Sequence, residues 1–255
     1  MLTTNSVGGA LYYEVHGTGE PVLLCASASC SSVQFKQSGL ADALAKHFQV
    51  VLYDYTGLGQ SGRVQSVTKS QWVEDVISVL DAIGVERAHV GGSSLGSRVA
   101  GRVALDYPHR VNTLFVDSPI TAVSAESEAA LRRGSANVAN SPRAEAFKAM
   151  HGEDWLEAVQ FYGQARLDPA LQSHLTLRDH IQEIQAPTLV MHSDAEDTVH
   201  PLANAFEWHQ KAHDSWLWVA PGTSTTGVIN QLVPQFIEVF TAFVSAKAAL
   251  TAAIP

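Results

Sequence analysis

The sequence predicts an α/β fold: a mostly parallel, twisted sheet flanked by helices, with a helical cap inserted into it. Three observations carry this reading. Short, almost wholly apolar runs recur along the chain and suit strands covered on both faces. Longer segments with apolar residues at helical spacing lie between them. One stretch, roughly 120–183, breaks the alternation with helical patterns and no clear strand.

The elements follow in order. Leu11 to Val15 alternates and reads as an antiparallel edge. Val22 to Cys25, Gln49 to Asp54, Ala88 to Gly92, Thr113 to Asp117, Thr188 to Met191 and Trp216 to Val219 are the apolar runs. From Ser70, apolar residues at Trp72, Val73, Val76, Ile77, Val79, Leu80 and Ile83 form a helical stripe that Gly84 ends. Leu95 to Tyr107 is a second helix, closed by Pro108. The last helix, roughly 233–249, carries Phe236, Ile237, Val239, Phe240 and Phe243, with Pro234 in its first turn. Strand–helix repeats of this kind make right-handed crossovers. The expected division is a core of 1–119 and 184–255, with the cap at 120–183 bounded by Pro119 and Pro187.

Composition narrows the function. The chain has 255 residues, 46% hydrophobic and 16% charged, an ordinary globular balance for one large domain. Its 25 acids against 16 bases argue against a general nucleic-acid binder, which needs a basic face. No apolar run approaches the ~18 residues of a membrane span, and no secretory signal is visible from Met1 to Gly9. Cys25 and Cys30 are too few for a disulfide framework or a four-ligand zinc site. The expectation is a cytoplasmic, metal-free and cofactor-free protein with a small-molecule substrate and no nucleic-acid or membrane partner; the oligomeric state, a homodimer included, stays open.

The strongest motif is Gly92-Ser93-Ser94-Leu95-Gly96, a G-x-S-x-G after a predicted strand and opening a helix. The glycines allow a sharp turn that lifts the central serine to the strand's carboxyl end. The helix start behind it offers unpaired N–H groups and a positive dipole end to a developing oxyanion. The bland alternative is a Gly/Ser-rich turn without chemistry.

The surroundings favour chemistry. Asp54-Tyr55-Thr56-Gly57-Leu58-Gly59-Gln60-Ser61, Tyr107-Pro108-His109-Arg110-Val111 and Ala186-Pro187-Thr188-Leu189-Val190 accompany the elbow. With these motifs the chain, from about Gly19 to Phe243, resembles the α/β-hydrolase superfamily, in its group of small, cofactor-free, capped hydrolases. The resemblance puts Ser94 in the nucleophile position. A serine hydroxyl needs a base to become a nucleophile.

The resemblance places the acid at Asp197, four residues before Pro201. The loop is one residue longer than the family's, which leaves Asp194 and Glu196 as substitutes and Asp117 as a further one. The histidine position is where this chain departs. The family's P-G-x-G-H-like segment reads Pro221-Gly222-Thr223-Ser224-Thr225-Thr226-Gly227 here, with Thr225 at the aligned position. A threonine hydroxyl is no general base near neutral pH. His200, in the acid loop, is the best replacement and His192 a weaker one; the bland reading of His200 is a surface residue at a helix start. Were His200 the base, its ring would have to come within about 3 Å of the Ser94 hydroxyl, or within one water of it.

The family's oxyanion segment corresponds to Ala26-Ser27, with Ala28 as one N–H donor and Leu95 as the other. Ser27, Ser29, Ser31 and Ser32 would give a polar rim. Cys30 lies near the expected pocket mouth, with no basic neighbour apparent to lower its pKa. Trp155, Phe161 and Tyr162 are candidates for an apolar pocket lining or for cap core. Three functions remain in view. One is an enzyme acting through Ser94 on a small ester-, lactone- or carbonyl-type substrate with a histidine-depleted triad. The others are a lyase, cyclase or isomerase of secondary metabolism, and a pseudo-hydrolase that binds a small molecule.

Overall fold

A computed structural model of the chain describes residues 2–6, 8–135, 138–195, 197–223 and 227–252. The strands are β1 (Leu2–Ser6), β2 (Gly9–His16), β3 (Pro21–Cys25), β4 (Gln49–Tyr53), β5 (Ala88–Ser93), β6 (Val111–Asp117), β7 (Thr188–Ser193) and β8 (Ser215–Ala220). Helices α1 (Val33–Gln37) and α2 (Leu40–Leu44) join β3 to β4, and α3 (Gln71–Ala82) joins β4 to β5. Helix α4 (Leu95–Asp106) links β5 to β6. Between β6 and β7 come α5 (Ala125–Ser135), α6 (Ala144–His151), α7 (Trp155–Ala165) and α8 (Pro169–His174). Helix α9 (Leu202–Lys211) precedes β8, and α10 (Val228–Gln231) and α11 (Val233–Ala252) follow it.

These strands form one sheet in the order β1-β2-β4-β3-β5-β6-β7-β8. The β1–β2 and β2–β4 pairs are antiparallel and the rest are parallel. The apolar runs explain why. Almost every residue of β3 to β7 is buried, as parallel strands with helices on both faces require. Trp72 of α3 and Trp208 of α9 are fully buried, as are Phe236, Phe240 and Phe243 of α11. Phe240 meets Phe115 of β6 edge-on at 5.0 Å between ring centroids.

The two edges depart from the sequence expectation. Residues 2–6 carry no apolar alternation, yet they form β1, held by its ladder to β2. β8 is an edge strand rather than a doubly covered one, and Trp216 remains 39% exposed. No helix among the described residues is long and apolar enough to cross a membrane.

The register positions the site. Cys25 at the end of β3 lies beside Gly92, and Ser93 beside Asp117 at the end of β6. The carboxyl ends of three central strands therefore meet where the sharp turn after β5 emerges, as open α/β sheets place their ligand crevices.

Candidate active site

The turn between β5 and α4 is held by contacts that only glycine permits. A Cβ on Gly92 or on Gly96 would overlap the Cys25 carbonyl oxygen. Ser94 itself has φ 56° and ψ −112°, a left-handed conformation unfavourable for a residue with a side chain. Its N–H donates to the Asp117 carbonyl at 3.0 Å, and the Ser97 hydroxyl donates to its carbonyl at 2.6 Å. These bonds fix the strained turn.

The loop after β7 brings the rest. The Ser94 Oγ is 2.9 Å from His200 Nε2. His200 Nδ1 is 3.1 and 3.3 Å from the two oxygens of Asp197. An ionised carboxylate only accepts, so Nδ1 carries the proton and Nε2 is left to accept from the Ser94 hydroxyl. Asp197 Oδ1 also accepts the N–H groups of Val199 and His200, each at 2.7 Å, which folds the loop around the carboxylate. The Thr198 carbonyl receives the hydroxyl of Ser127 from α5 at 2.6 Å. His200 is buried rather than on the surface. Burial lowers its pKa from 6.5; Asp197 opposes the shift and the nearby His192 adds to it. The ring is then neutral at neutral pH, the state a base needs.

Other candidates lie elsewhere. Asp117 accepts the Ser118 hydroxyl at 3.1 Å and the Ile229 N–H at 3.3 Å, and burial pushes its pKa up to about 7. Asp194 receives the Gly222 N–H at 2.8 Å. The His192 ring is fully buried, with Nδ1 2.6 Å from the Ser193 carbonyl. Glu196 and Thr225 lie outside the described residues.

A cavity of about 670 Å³ opens over Ser94 and His200. Ser27, Ala28 and Leu95 line it. Leu95 is the first residue of α4, so its N–H is one of those a helix cannot pair internally. Ala28 sits in a turn closed by the Cys30 N–H to the Ser27 carbonyl, with Ser29 at φ 56°. His151 of α6 braces this turn. Its Nδ1 accepts the Gly59 N–H at 2.9 Å, which leaves Nε2–H to donate to the Ser29 carbonyl at 3.0 Å. Asp54 accepts the Ser32 and Gln60 N–H groups at 2.7 and 2.8 Å, tying the same loop to the glycine turn after β4.

Several sequence expectations need correction. The polar rim shrinks to Ser27, because Ser31 and Ser32 are fully buried and the Ser31 hydroxyl is spent on the Met150 carbonyl. Of the three aromatics Trp155, Phe161 and Tyr162, Tyr162 lines the cavity. Phe161 packs on Gly57, and Trp155 stacks on Phe147 at 6.3 Å. Cys30 does have a basic neighbour: Arg143 Nη2 lies 3.7 Å from its sulfur. Burial nonetheless raises the thiol pKa, so Cys30 stays protonated. The sequence reading also passed over four arginines of the cavity wall, Arg98, Arg132, Arg143 and Arg166. The signal available was Arg98, which falls on the apolar stripe of its helix. Among the described residues no cluster of three or more His, Cys, Asp or Glu side chains is placed to hold a metal ion.

The family model described as the alpha/beta hydrolase fold matches residues 15–150. The chain belongs to the α/β-hydrolase family. Over 109 residues it is 41% identical to a protein of Azorhizobium caulinodans named carbamate hydrolase RutD, covering 42% of this chain and 40% of that one. The chain thus spans less than half the length of the first of its curated relatives. It is 23% identical over 259 residues to 3-oxoadipate enol-lactonase 1 of Acinetobacter baylyi, covering 96% of each. Among solved structures, Est816, described as an N-acyl homoserine lactone degrading enzyme, superposes with a TM-score of 0.79 at 23% identity, covering 95% of this chain and all of that one. The enol-lactonase of Burkholderia xenovorans LB400 gives 0.72 at 17% identity, covering 96% and 100%. At these identities the solved structures establish the shared fold.

Proposed function

We propose that the protein is a serine hydrolase acting on a small ester, lactone or carbamate, with Ser94 as nucleophile, His200 as base and Asp197 as the acid that orients it. The observation that carries this reading is the 2.9 Å contact between Ser94 Oγ and His200 Nε2, with Asp197 on the far side of the same ring. The bond classes follow the names of the relatives, a carbamate hydrolase and enol-lactonases. The division into a core and a cap at 120–183 belongs to the same proposal: helices from that stretch wall the cavity.

The chemistry runs in two halves. Ser94 Oγ attacks the substrate carbonyl carbon while His200 Nε2 takes the hydroxyl proton. The carbonyl oxygen becomes an oxyanion facing the Ala28 and Leu95 N–H groups. Asp197 holds Nδ1–H and stabilises the imidazolium without taking its proton. The carbonyl re-forms, the leaving oxygen or nitrogen departs with the proton from Nε2, and Ser94 is left acylated. Water then enters, loses a proton to His200 and attacks the acyl carbon. Ser94 leaves with that proton. Thr225 at the family's histidine position is compatible with this scheme, since the base comes from the acid loop instead. The non-hydrolytic and binding-only readings rested on a missing base, and the position of His200 favours hydrolysis over both.

The test is covalent labelling by a neutral fluorophosphonate, read by intact mass, followed by an ester, lactone and carbamate panel. The wild type should gain one adduct and Ser94→Ala none. An unlabelled wild type that turns over no member of the panel would overturn the assignment.

A further inference from the structure

The protein carries a formal charge of −9, yet its main cavity is walled by four guanidiniums against the single carboxylate of Glu128. Glu128 is already paired with Arg132 one helical turn away. Arg98 is almost fully buried, and the partners of its guanidinium are neutral: the Leu175 carbonyl at 3.0 Å, the Gln172 side-chain oxygen at 3.0 Å and the Gln172 carbonyl at 3.2 Å. Burial lowers its pKa to about 10, so it remains charged at neutral pH. A buried cation held by dipoles alone is costly, and a nearby anion relieves that cost. Arg143 stands where the main cavity meets a second one of about 410 Å³ and lines both. Its guanidinium rests on the Phe147 ring at 4.6 Å and touches Cys30, two residues from Ala28. Ile120, Val123, Leu131 and Leu167 make part of the remaining wall apolar, beside hydroxyl and amide side chains such as Ser173, Thr176 and Gln172.

We infer that this cavity selects acyl compounds carrying a second, carboxylate group, with Arg143 as the residue that reads it and Arg98 as a buried charge that favours it. A planar guanidinium suits a carboxylate bidentately, and its place beside the Ala28 turn sets the anion a short chain away from the reacting carbonyl. The apolar part of the wall suits the carbon chain between them. This inference deepens the hydrolase reading and takes its reacting carbonyl from it.

The test separates the two. In the Ser94→Ala protein, which cannot form an acyl-enzyme, titration calorimetry compares monomethyl succinate with dimethyl succinate. The monoanion should bind at least ~10-fold more tightly. That preference should fall below about threefold when Arg143→Gln is added, and persist when Arg102→Gln is added. Arg102 is ion-paired with Asp106 and is absent from the cavity wall. Equal binding of the two esters, or a preference that survives Arg143→Gln, would overturn the inference. Neither result bears on fluorophosphonate labelling of Ser94, which tests the hydrolase reading by itself.

Discussion

Replacing His200 by alanine should almost abolish the reactivity of Ser94, and the size of the loss follows from what remains. The substitution removes the acceptor 2.9 Å from Ser94 Oγ. Neighbouring groups do not replace it: Ser27 is a hydroxyl, the Ala28 and Leu95 amides are donors, and His192 is turned onto the Ser193 carbonyl. Loss of the base alone costs ~10⁶ in turnover in a serine protease, about 8 kcal/mol of barrier. Here the Asp197 side chain is 40% exposed, so water reaches the vacated space and takes up part of the role. The expected loss is therefore ~10⁴ to 10⁶. The assay is the second-order rate of fluorophosphonate labelling by intact mass, from pH 5 to 9. Burial lowers the His200 pKa, and only the neutral ring accepts a proton. The wild-type rate should fall on the acid side with its midpoint below pH 6.5, whereas the variant should lose that limb. Losing a buried ring costs about 1–3 kcal/mol of stability, so a thermal melt confirms that the variant is folded. Labelling of His200→Ala within tenfold of wild type would refute the reasoning.

Three further outcomes are expected. Asp197→Asn should lower the labelling rate by ~10²- to 10³-fold, less than the ~10⁴ of a buried triad acid, because this carboxylate is partly solvated; steady labelling rates across the two proteins would contradict its role. Asp117 holds a proton in the folded state up to about pH 7 and releases it near pH 4 when unfolded, so its contribution to stability is lost as pH rises through that window. Asp117→Asn should accordingly be more stable than wild type at pH 8 and not at pH 4, as urea unfolding at both values will show. Gly92→Ala should destabilise the fold by about 3 kcal/mol or more, since the added methyl group meets backbone rather than a movable side chain; an unchanged urea midpoint would dispose of the packing argument.

Fold and site differ in how far the sequence discloses them. The apolar runs of β3 to β7 are local signals, and burial on both faces makes them unmistakable. β1 has no such signal, because no residue from Leu2 to Ser6 is fully buried and the strand depends on its ladder to β2. The Gly92–Gly96 elbow could be read from spacing, since the turn itself demands glycine. The acid could be read only as Asp197 with Asp194, Glu196 and Asp117 left open. The proposal of Asp197 rests on where the carboxylates point once the chain has folded, with Asp194 drawn to Gly222 and Asp197 to His200. His200 could be put forward because it shares a loop with the proposed acid, but its burial and its contact with Ser94 arise only in the folded chain. The arginines were hidden for a similar reason. Arg98, Arg143 and Arg166 are far apart in sequence, and only packing of the β6–β7 segment over the sheet turns them toward one cavity.

The proposed base and acid, His200 and Asp197, sit three residues apart on a single loop, and the Ser127 hydroxyl ties that loop to α5. In a relay whose members come from separate loops, displacing one leaves the others in register. Here an excursion of the segment from Asp197 to His200 would withdraw proton acceptor and carboxylate together, leaving Ser94 correctly placed but without its partner. Reactivity should therefore behave as a two-position device, full when the loop is docked and no higher than that of His200→Ala when it is not. The fraction of time it spends docked, set in part by a contact on α5, would scale the apparent turnover without changing any step of the chemistry.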